Sequence, residues 1–170
     1  MGVLKSVEAS VVCLAETNTD WKHPDAHHRV FSQFRMCFNQ VRMVVSHSGL
    51  KQTTVFQPGG TTTAVVGKWS GRFASKGSNK KGGFSWIVMR GRRGRRIVII
   101  TCYRVSQVSS VGLEDTNTAF IQQQTILRKS GLKNPCPRKE CLTELAAFIT
   151  AAEAKGDEVI LSIDANEATD

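Results

Sequence analysis

The chain has 170 residues, of which 41% are hydrophobic and 22% charged, a composition that fits one ordinary globular domain and leaves a second domain improbable. Lysine and arginine total 23 against 14 acidic residues, which gives a net charge of +9 and favours a polyanionic partner over a solvated basic surface without a ligand. There is no apolar run of about 18 residues and no apolar signal segment at the start, so we expect neither a membrane-spanning helix nor a secretory signal.

The first half of the chain predicts strands around one helix. Val30, Phe34 and Phe38 recur at four-residue intervals, as on one face of an amphipathic helix. Short β-branched and apolar runs predict strands before and after it. In chain order, the predicted elements are a strand over 10–16, a helix over 25–40, and strands over 41–47 and 61–69. Residues 70–83 are rich in glycine, serine and lysine, which predicts a mobile loop.

The second half predicts a hairpin, two helices and a last strand. Two apolar runs flank the glycine-containing turn "GRRGR", the pattern of a β-hairpin. Glycines follow both helical segments, where a C-terminal cap is expected. The predicted elements are hairpin strands over 84–90 and 96–105, a polar segment over 106–117, helices over 118–130 and 138–156, and a final strand that leads to Asp164. The whole pattern predicts a single α/β domain over 1–170.

The five cysteines indicate an intracellular protein. Cys13 and Cys102 lie inside apolar strand-like runs, where a free thiol behaves as a small hydrophobe. Cys136 and Cys141 have no second cysteine or histidine pair that would complete a zinc site. An odd set of this kind is typical of reduced thiols. Gly2 and Ser6 match the short pattern of N-myristoylation, which is weak on its own.

Three predicted strands end in polar side chains. Glu16 follows the first strand, Tyr103 ends the second hairpin strand, and Asp164 and Asn166 end the last strand. Residues two apart on an extended chain point to the same side, so the aspartate and the asparagine can address one ligand. Carboxylates bind Mg²⁺, while an amide and a phenol can donate to phosphate oxygens. The pattern predicts metal-assisted phosphoester hydrolysis at the rim of the sheets.

The segments "VVCLAETNTDW", "IVIITCYRV" and "VILSIDANE", in this order and at this spacing, resemble the endonuclease/exonuclease/phosphatase superfamily. Within it they are most similar to the endonuclease domain of non-LTR (LINE-type) retrotransposons. The resemblance implies a four-layer α/β sandwich of the deoxyribonuclease I-like type and cleavage of DNA with Mg²⁺ or Mn²⁺. It implies that Glu16 binds the metal, that Tyr103 contacts the scissile phosphate, and that Asp164 and Asn166 position the nucleophile and the phosphate.

The same resemblance implies that the sandwich is incomplete. The family has a first strand with a metal-site asparagine before the matched region, and a C-terminal half with a catalytic histidine after it. We therefore expect a partial domain of impaired activity. Two other functions remain open: a non-catalytic nucleic-acid-binding remnant, and a phosphomonoesterase or inositol-phosphate phosphatase of the same superfamily.

A cluster of arginines on the hairpin turn is the second candidate site. Guanidinium groups match the geometry of phosphates, so these side chains can contact a DNA backbone. A solvated turn, or a run similar to a nuclear import signal, explains them equally well. Together with two residues beside the strand ends, the candidates for nucleic-acid contact are Asn18, Arg90, Arg92, Arg93, Arg95, Arg96 and Arg104. Nothing in the sequence indicates an obligate protein partner.

Overall fold

The computed structural model describes residues 8–50, 57–107 and 118–166. The myristoylation pattern at Gly2 and Ser6 and most of the predicted polar segment 106–117 lie outside this part. Within it, the chain forms two β-sheets of three and four strands, with three α-helices and a short 3-10 helix. The predicted α/β class is confirmed.

The first sheet is antiparallel, in the order β1-β3-β2, and consists of β1 (Val11–Ala15), β2 (Val41–Ser46) and β3 (Thr61–Val66). Helix α1 (Ala26–Cys37) connects β1 to β2 and packs on one face of this sheet. Phe34 of α1 is 1% exposed and belongs to one core cluster with Met43 and Ala64. The predicted stripe of α1 is thus the face that it buries.

The second sheet, in the order β4-β5-β6-β7, consists of β4 (Phe73–Ser78), β5 (Phe84–Arg90), β6 (Arg96–Tyr103) and β7 (Glu158–Asp164). Strands β5 and β6 form the predicted hairpin, whereas β7 pairs with β6 in parallel. A parallel pair needs a crossover, and this one contains α2 (Ala119–Lys129) and α3 (Pro137–Glu153). Within the described chain, β7 is an edge strand.

The two sheets pack face to face. Val44 and Val65 of the first sheet lie in one buried cluster with Ile87 and Ile99 of the second. The outer face of the second sheet carries another cluster, in which Leu145 of α3 lies with strand residues. The layers are therefore α1, first sheet, second sheet and α3.

The prediction of a mobile loop over 70–83 is wrong for much of that segment. Residues Gly67–Arg72 form a 3-10 helix that crosses between the sheets, and the chain then continues as β4, paired with β5. Strand β4 lies at the sheet edge and is poor in large apolar residues, so its local composition is that of a loop. Strand propensity depends on neighbours more than on intrinsic preference, and pairing with β5 decides the outcome here.

All five cysteines are free thiols. Cys102 of β6 and Cys141 of α3 are both buried, with their Sγ atoms 3.8 Å apart. The hydrogen bond with Cys141, together with burial, raises the pKa of Cys102. Cys102 lies within β6 and is fully buried, which confirms its predicted place inside an apolar strand.

Candidate active site

Polar residues that follow strands of both sheets meet at one end of the sandwich. We call it the carboxylate end and define it by Glu16, Tyr103 and Asp164. Strands β6 and β7 run parallel with Tyr103 in register with Asp164, so both side chains lie on the sheet face that meets the first sheet. Glu16 directly follows β1 of that first sheet. The parallel register thus brings the predicted phenol and carboxylate together.

The Tyr103 hydroxyl lies near the side chains of Glu16 and Ser106, and both neighbours influence its pKa. Tyr103 is only 4% exposed. Burial, then the charge and hydrogen bond of Glu16, and then the charge of Asp164 raise the pKa of Tyr103 to about 12. The phenol therefore keeps its proton at neutral pH and remains a hydrogen-bond donor between two carboxylates. Three of the four predicted catalytic residues form one constellation.

Backbone strain is concentrated in the same place. Glu16, Asn18 and Asn166 have φ angles of +51°, +49° and +46°. A positive φ costs of order 1–3 kcal/mol at a residue other than glycine and persists where the surroundings hold it, which is often at functional sites. Asparagine tolerates this conformation better than most residues, whereas glutamate does not. The strain at Glu16 therefore marks a position that the fold holds against local preference.

A pair of glycines holds the turn after β1. Thr17 N donates to Gly60 O at 3.1 Å, and Asn18 N donates to Gly59 O at 2.9 Å. In return, Gly59 N donates to the Asn18 side-chain oxygen at 2.9 Å. Asn18 was predicted to contact nucleic acid. Its oxygen is engaged within the protein, which leaves its amide nitrogen as the group that can meet a ligand.

Gly59 also lies directly against the tyrosine. A Cβ atom at Gly59 would lie 2.9 Å from the Ala119 Cβ and 3.4 Å from the Tyr103 Cε1. Gly59 itself has a φ of +77°. The sequence pattern alone does not predict this contact between Gly59 and the tyrosine. The available signal was a glycine pair immediately before a strand.

Asn166 fastens the ends of β6 and β7 to each other. Its Nδ2 donates to Arg104 O at 2.7 Å, and its backbone N donates to Asp164 Oδ1 at 3.3 Å. Arg104 N donates to Asp164 O at 2.9 Å. The second contact of Asn166 is an Asx turn, which is compatible with a site role because one amide hydrogen stays available. The guanidinium of Arg104 donates to Ala165 O at 3.4 Å and so lies beneath this turn.

Arg138 is a further residue of this end that the sequence does not predict. It lies in the first turn of α3 and is only 7% exposed. Its Nη1 donates to Val105 O at 2.8 Å and to Asn166 O at 3.1 Å. One buried guanidinium therefore joins the segments after β6 and β7. Nothing in the local pattern distinguishes it from the exposed Lys139 that follows.

A layer of buried hydroxyl groups lies beneath the carboxylate end, between the sheets. Thr63 Oγ1 donates to Thr101 Oγ1 at 2.8 Å and lies at the same distance from Ser85 Oγ. Thr61 Oγ1 donates to Ser85 Oγ at 3.0 Å. A polar group in a core is stable when it is hydrogen-bonded. These hydroxyl side chains therefore take the place of apolar packing next to Tyr103. In the sequence, the run "TTT" within a buried strand indicates such a layer.

The predicted arginine cluster lies at the opposite end of the sandwich. Arg90 and Arg96 pair at the first residue of β6, whereas Tyr103 is the last residue of that strand. Seven residue steps of about 3.3 Å separate the two ends by roughly 23 Å. The structure does not bring the turn arginines together with the predicted catalytic residues. Arg104 is the one predicted arginine at the carboxylate end.

The donor set at the carboxylate end suits a hard cation. Glu16 is exposed and Asp164 half-buried, and both supply the oxygen ligands that Mg²⁺ prefers. In residues 8–50, 57–107 and 118–166, no group of three or more histidine, cysteine, aspartate or glutamate side chains is placed to hold a metal. A cation here would take one or two carboxylates, with water and phosphate oxygens as its other ligands, which is the usual environment of Mg²⁺.

Comparisons with protein-family models, with curated proteins and with solved structures found no match. Among the described helices, none is long and apolar enough to cross a membrane.

Proposed function

We propose that the chain is a metal-dependent phosphodiesterase acting on DNA, with its site at the carboxylate end. The observation that carries the proposal is the placement of the buried Tyr103 hydroxyl beside the carboxylates of Glu16 and Asp164. The resemblance of the three strand-end motifs to retrotransposon endonucleases gives the reaction class. The arrangement of helix, two sheets and helix is the one expected for a deoxyribonuclease I-like sandwich, which is the fold that we propose.

Each residue has a role in this proposal. Glu16 is the residue that would hold Mg²⁺ or Mn²⁺, and a bound cation supplies charge neutralisation to the phosphate. Tyr103 is protonated at neutral pH. Once Glu16 holds the cation, Tyr103 would turn its single hydroxyl hydrogen to a non-bridging phosphate oxygen, where negative charge accumulates. Asp164 orients the attacking water and accepts its proton. Asn166 directs its remaining amide hydrogen to the phosphate and aligns Asp164 through the Asx turn.

The charge of the chain favours DNA over a small phosphate ester. A net charge of +9 raises the local concentration of a polyanion and speeds its association. A phosphomonoesterase needs no such excess. The catalytic groups themselves treat both kinds of ester alike, so the substrate must be assigned by measurement.

The test is nicking of supercoiled plasmid by the purified chain in Mg²⁺. Glu16→Gln and Asp164→Asn keep the size of each side chain and remove its charge. We expect each to lower the nicking rate by about 10²–10⁴-fold, the usual contribution of a group that transfers or positions a proton. Glu153→Gln, an exposed change at the end of α3, is the matched control and should nick at the wild-type rate.

Two results would contradict the proposal. One is a wild-type chain without Mg²⁺-dependent nicking, and the other is nicking that both site variants retain in full. Hydrolysis of p-nitrophenyl phosphate in preference to plasmid, lost in the same variants, would assign the site to a phosphomonoesterase instead.

A further inference from the structure

The end of the sandwich opposite the carboxylate end is a dense cluster of cations, which we call the basic end. Its described members come from the hairpin turn and from the 3-10 helix that joins the two sheets. They are exposed in every case: Lys68, Arg72, Arg90, Arg92, Arg93, Arg95 and Arg96. The Arg72 guanidinium Nη1 donates to Arg90 O at 3.3 Å, so the two segments form one continuous surface.

Carboxylates neutralise only part of this surface. Arg96 forms a two-pronged ion pair with Asp157, with N···O distances of 2.7 and 2.8 Å, and Arg95 pairs with Glu158 at 2.9 Å. Within the described residues, Arg92 and Arg93 have no carboxylate within ion-pair distance. The acids at this end therefore fix the base of the hairpin and leave the charges at its tip available.

The tip of the hairpin is shaped as a concave site. A cavity of about 380 Å³ is lined by Gly91, Arg92, Arg93, Arg95, Ile97 and Glu158. Arg95 N donates to Arg92 O at 3.1 Å, and Gly91 N donates to Arg95 O at 2.8 Å, so the turn is held by its own backbone. Its walls combine guanidinium groups with the apolar surface of an isoleucine.

The backbone conformation of Arg93 points to a role for its side chain. Arg93 and Gly94 are the central residues of the turn, with φ angles of +55° and +78°, the signature of a type I′ turn. Asparagine is the preferred first central residue of that turn because it tolerates positive φ. Arginine is disfavoured there, so the position places a guanidinium at the tip against the preference of the backbone.

An aromatic ring lies on the same surface. Trp69 is 39% exposed, and the Arg72 guanidinium carbon lies 5.6 Å from the centre of its ring. Proteins that bind single-stranded nucleic acids combine exposed aromatic rings with arginines, since unpaired bases can stack on such rings. Bases within a duplex are already stacked and cannot reach such a ring. The tryptophan thus favours a single strand over a duplex.

We infer that the basic end binds single-stranded nucleic acid, with Arg92 and Arg93 on the backbone phosphates and Trp69 against a base. Because this end is roughly 23 Å from Tyr103 along β6, the nucleotides bound here are not those that would lie at the carboxylate end. The inference does not depend on the proposed hydrolysis. It would hold for a chain without catalytic activity.

The test is fluorescence anisotropy of a labelled oligothymidylate of about 20 nucleotides, titrated with the full chain at several salt concentrations. For Arg92→Ala/Arg93→Ala we expect a Kd at least about tenfold higher and a salt slope, log K against log[salt], shallower by about 1.4 for two lost phosphates. For Trp69→Ala we expect a Kd roughly 5- to 150-fold higher, because one stacked base contributes that much. Glu153→Gln, an exposed change outside both ends of the sandwich, should bind as the wild type does.

The matched control is Arg128→Ala/Lys129→Ala, which removes the same charge from exposed residues at the end of α2. If it weakens binding as much as Arg92→Ala/Arg93→Ala, only net charge matters and the inference is overturned. It is equally overturned if Trp69→Ala leaves the Kd unaltered, or if a labelled duplex of the same length binds as tightly as the single strand and loses nothing in Trp69→Ala. Thermal unfolding of each variant verifies that it is folded.

Discussion

The carboxylate end and the basic end both contain non-glycine residues at positive φ, yet the two ends support the strain differently. At the carboxylate end, Glu16 is held by neighbours from other parts of the chain, among them the hydrogen bonds that Gly59 and Gly60 make to its flanking turn. At the basic end, the backbone hydrogen bonds that hold the turn of Arg93 in the described part of the chain come from its own hairpin. The comparison teaches that one end is built by tertiary structure and the other by a local turn. Substitutions should therefore have large effects at the first end and small effects at the second.

The largest effect is expected from alanine at the paired glycines. Gly59→Ala adds a Cβ atom 2.9 Å from Ala119 and presses on Tyr103, in addition to the strain of positive φ. We expect a loss of about 2–4 kcal/mol in the free energy of unfolding, from overpacking and backbone strain together. Gly94→Ala has nearly the same φ but open space around it, and should lose only about 1–2 kcal/mol. Urea unfolding of both variants measures the difference, and equal losses would refute this view of the carboxylate end.

An intermediate effect is expected in the ionisation of Tyr103. It is the only tyrosine of the chain, so ultraviolet absorbance of tyrosinate reports it alone. The wild-type midpoint should lie near pH 12, as burial, Glu16 and Asp164 raise the pKa to about 12. In Glu16→Gln, the midpoint should fall toward the ordinary value of about 10, since the adjacent charge is gone. If the midpoint does not move, Glu16 and Tyr103 do not interact, and this description of the carboxylate end is contradicted.

The same titration has a consequence for stability. The pKa of Tyr103 is higher in the folded chain than in the unfolded one, so the folded state favours the protonated phenol. This contribution to stability is complete below the unfolded value near pH 10 and is lost as the pH rises toward about 12. Unfolding of Tyr103→Phe should accordingly depend less on pH in this alkaline range than unfolding of the wild type.

The smallest effect is expected from Arg93→Asn. The substitution creates the Asn-Gly pair that suits a type I′ turn, and we expect a gain of about 0.5–1 kcal/mol in the free energy of unfolding as the backbone strain is relieved. The same variant should bind oligothymidylate more weakly than the wild type. A stability gain without loss of binding would show that the arginine at this position is incidental.

Local pattern was enough to place most of the elements and three of the four catalytic candidates. An apolar run followed by a polar residue located Glu16, Tyr103 and Asp164 at strand ends, because strand ends lie at the rim of a sheet. What the pattern could not give was pairing. The parallel register that aligns Tyr103 with Asp164 depends on a crossover of two helices, and the role of Arg138 depends on carbonyl groups that are distant in sequence.

Strand pairing and strand direction also explain two differences between the sequence predictions and the structure. Strand β4 was read as a loop because its residues carry few apolar side chains, although β5 supplies its hydrogen bonds. Arg104 and the turn arginines were predicted together as contacts for nucleic acid, although β6 carries its two ends to opposite ends of the sandwich. Composition shows that a segment is basic, but the direction of the adjoining strand determines at which end of the molecule that segment lies.

Strand β7 has a neighbour on one side only in the described chain, and its Ile160 is 55% exposed. Detachment of such a border segment requires less free energy than melting of the whole domain. Asp164 belongs to β7, whereas Tyr103 belongs to β6 and Glu16 follows β1. Transient detachment of β7 would therefore remove Asp164 from the carboxylate end while the remaining layers stay folded. The proposed hydrolysis would then be lost at a lower temperature than cooperative unfolding, and a partner that covers the free edge of β7 would increase it.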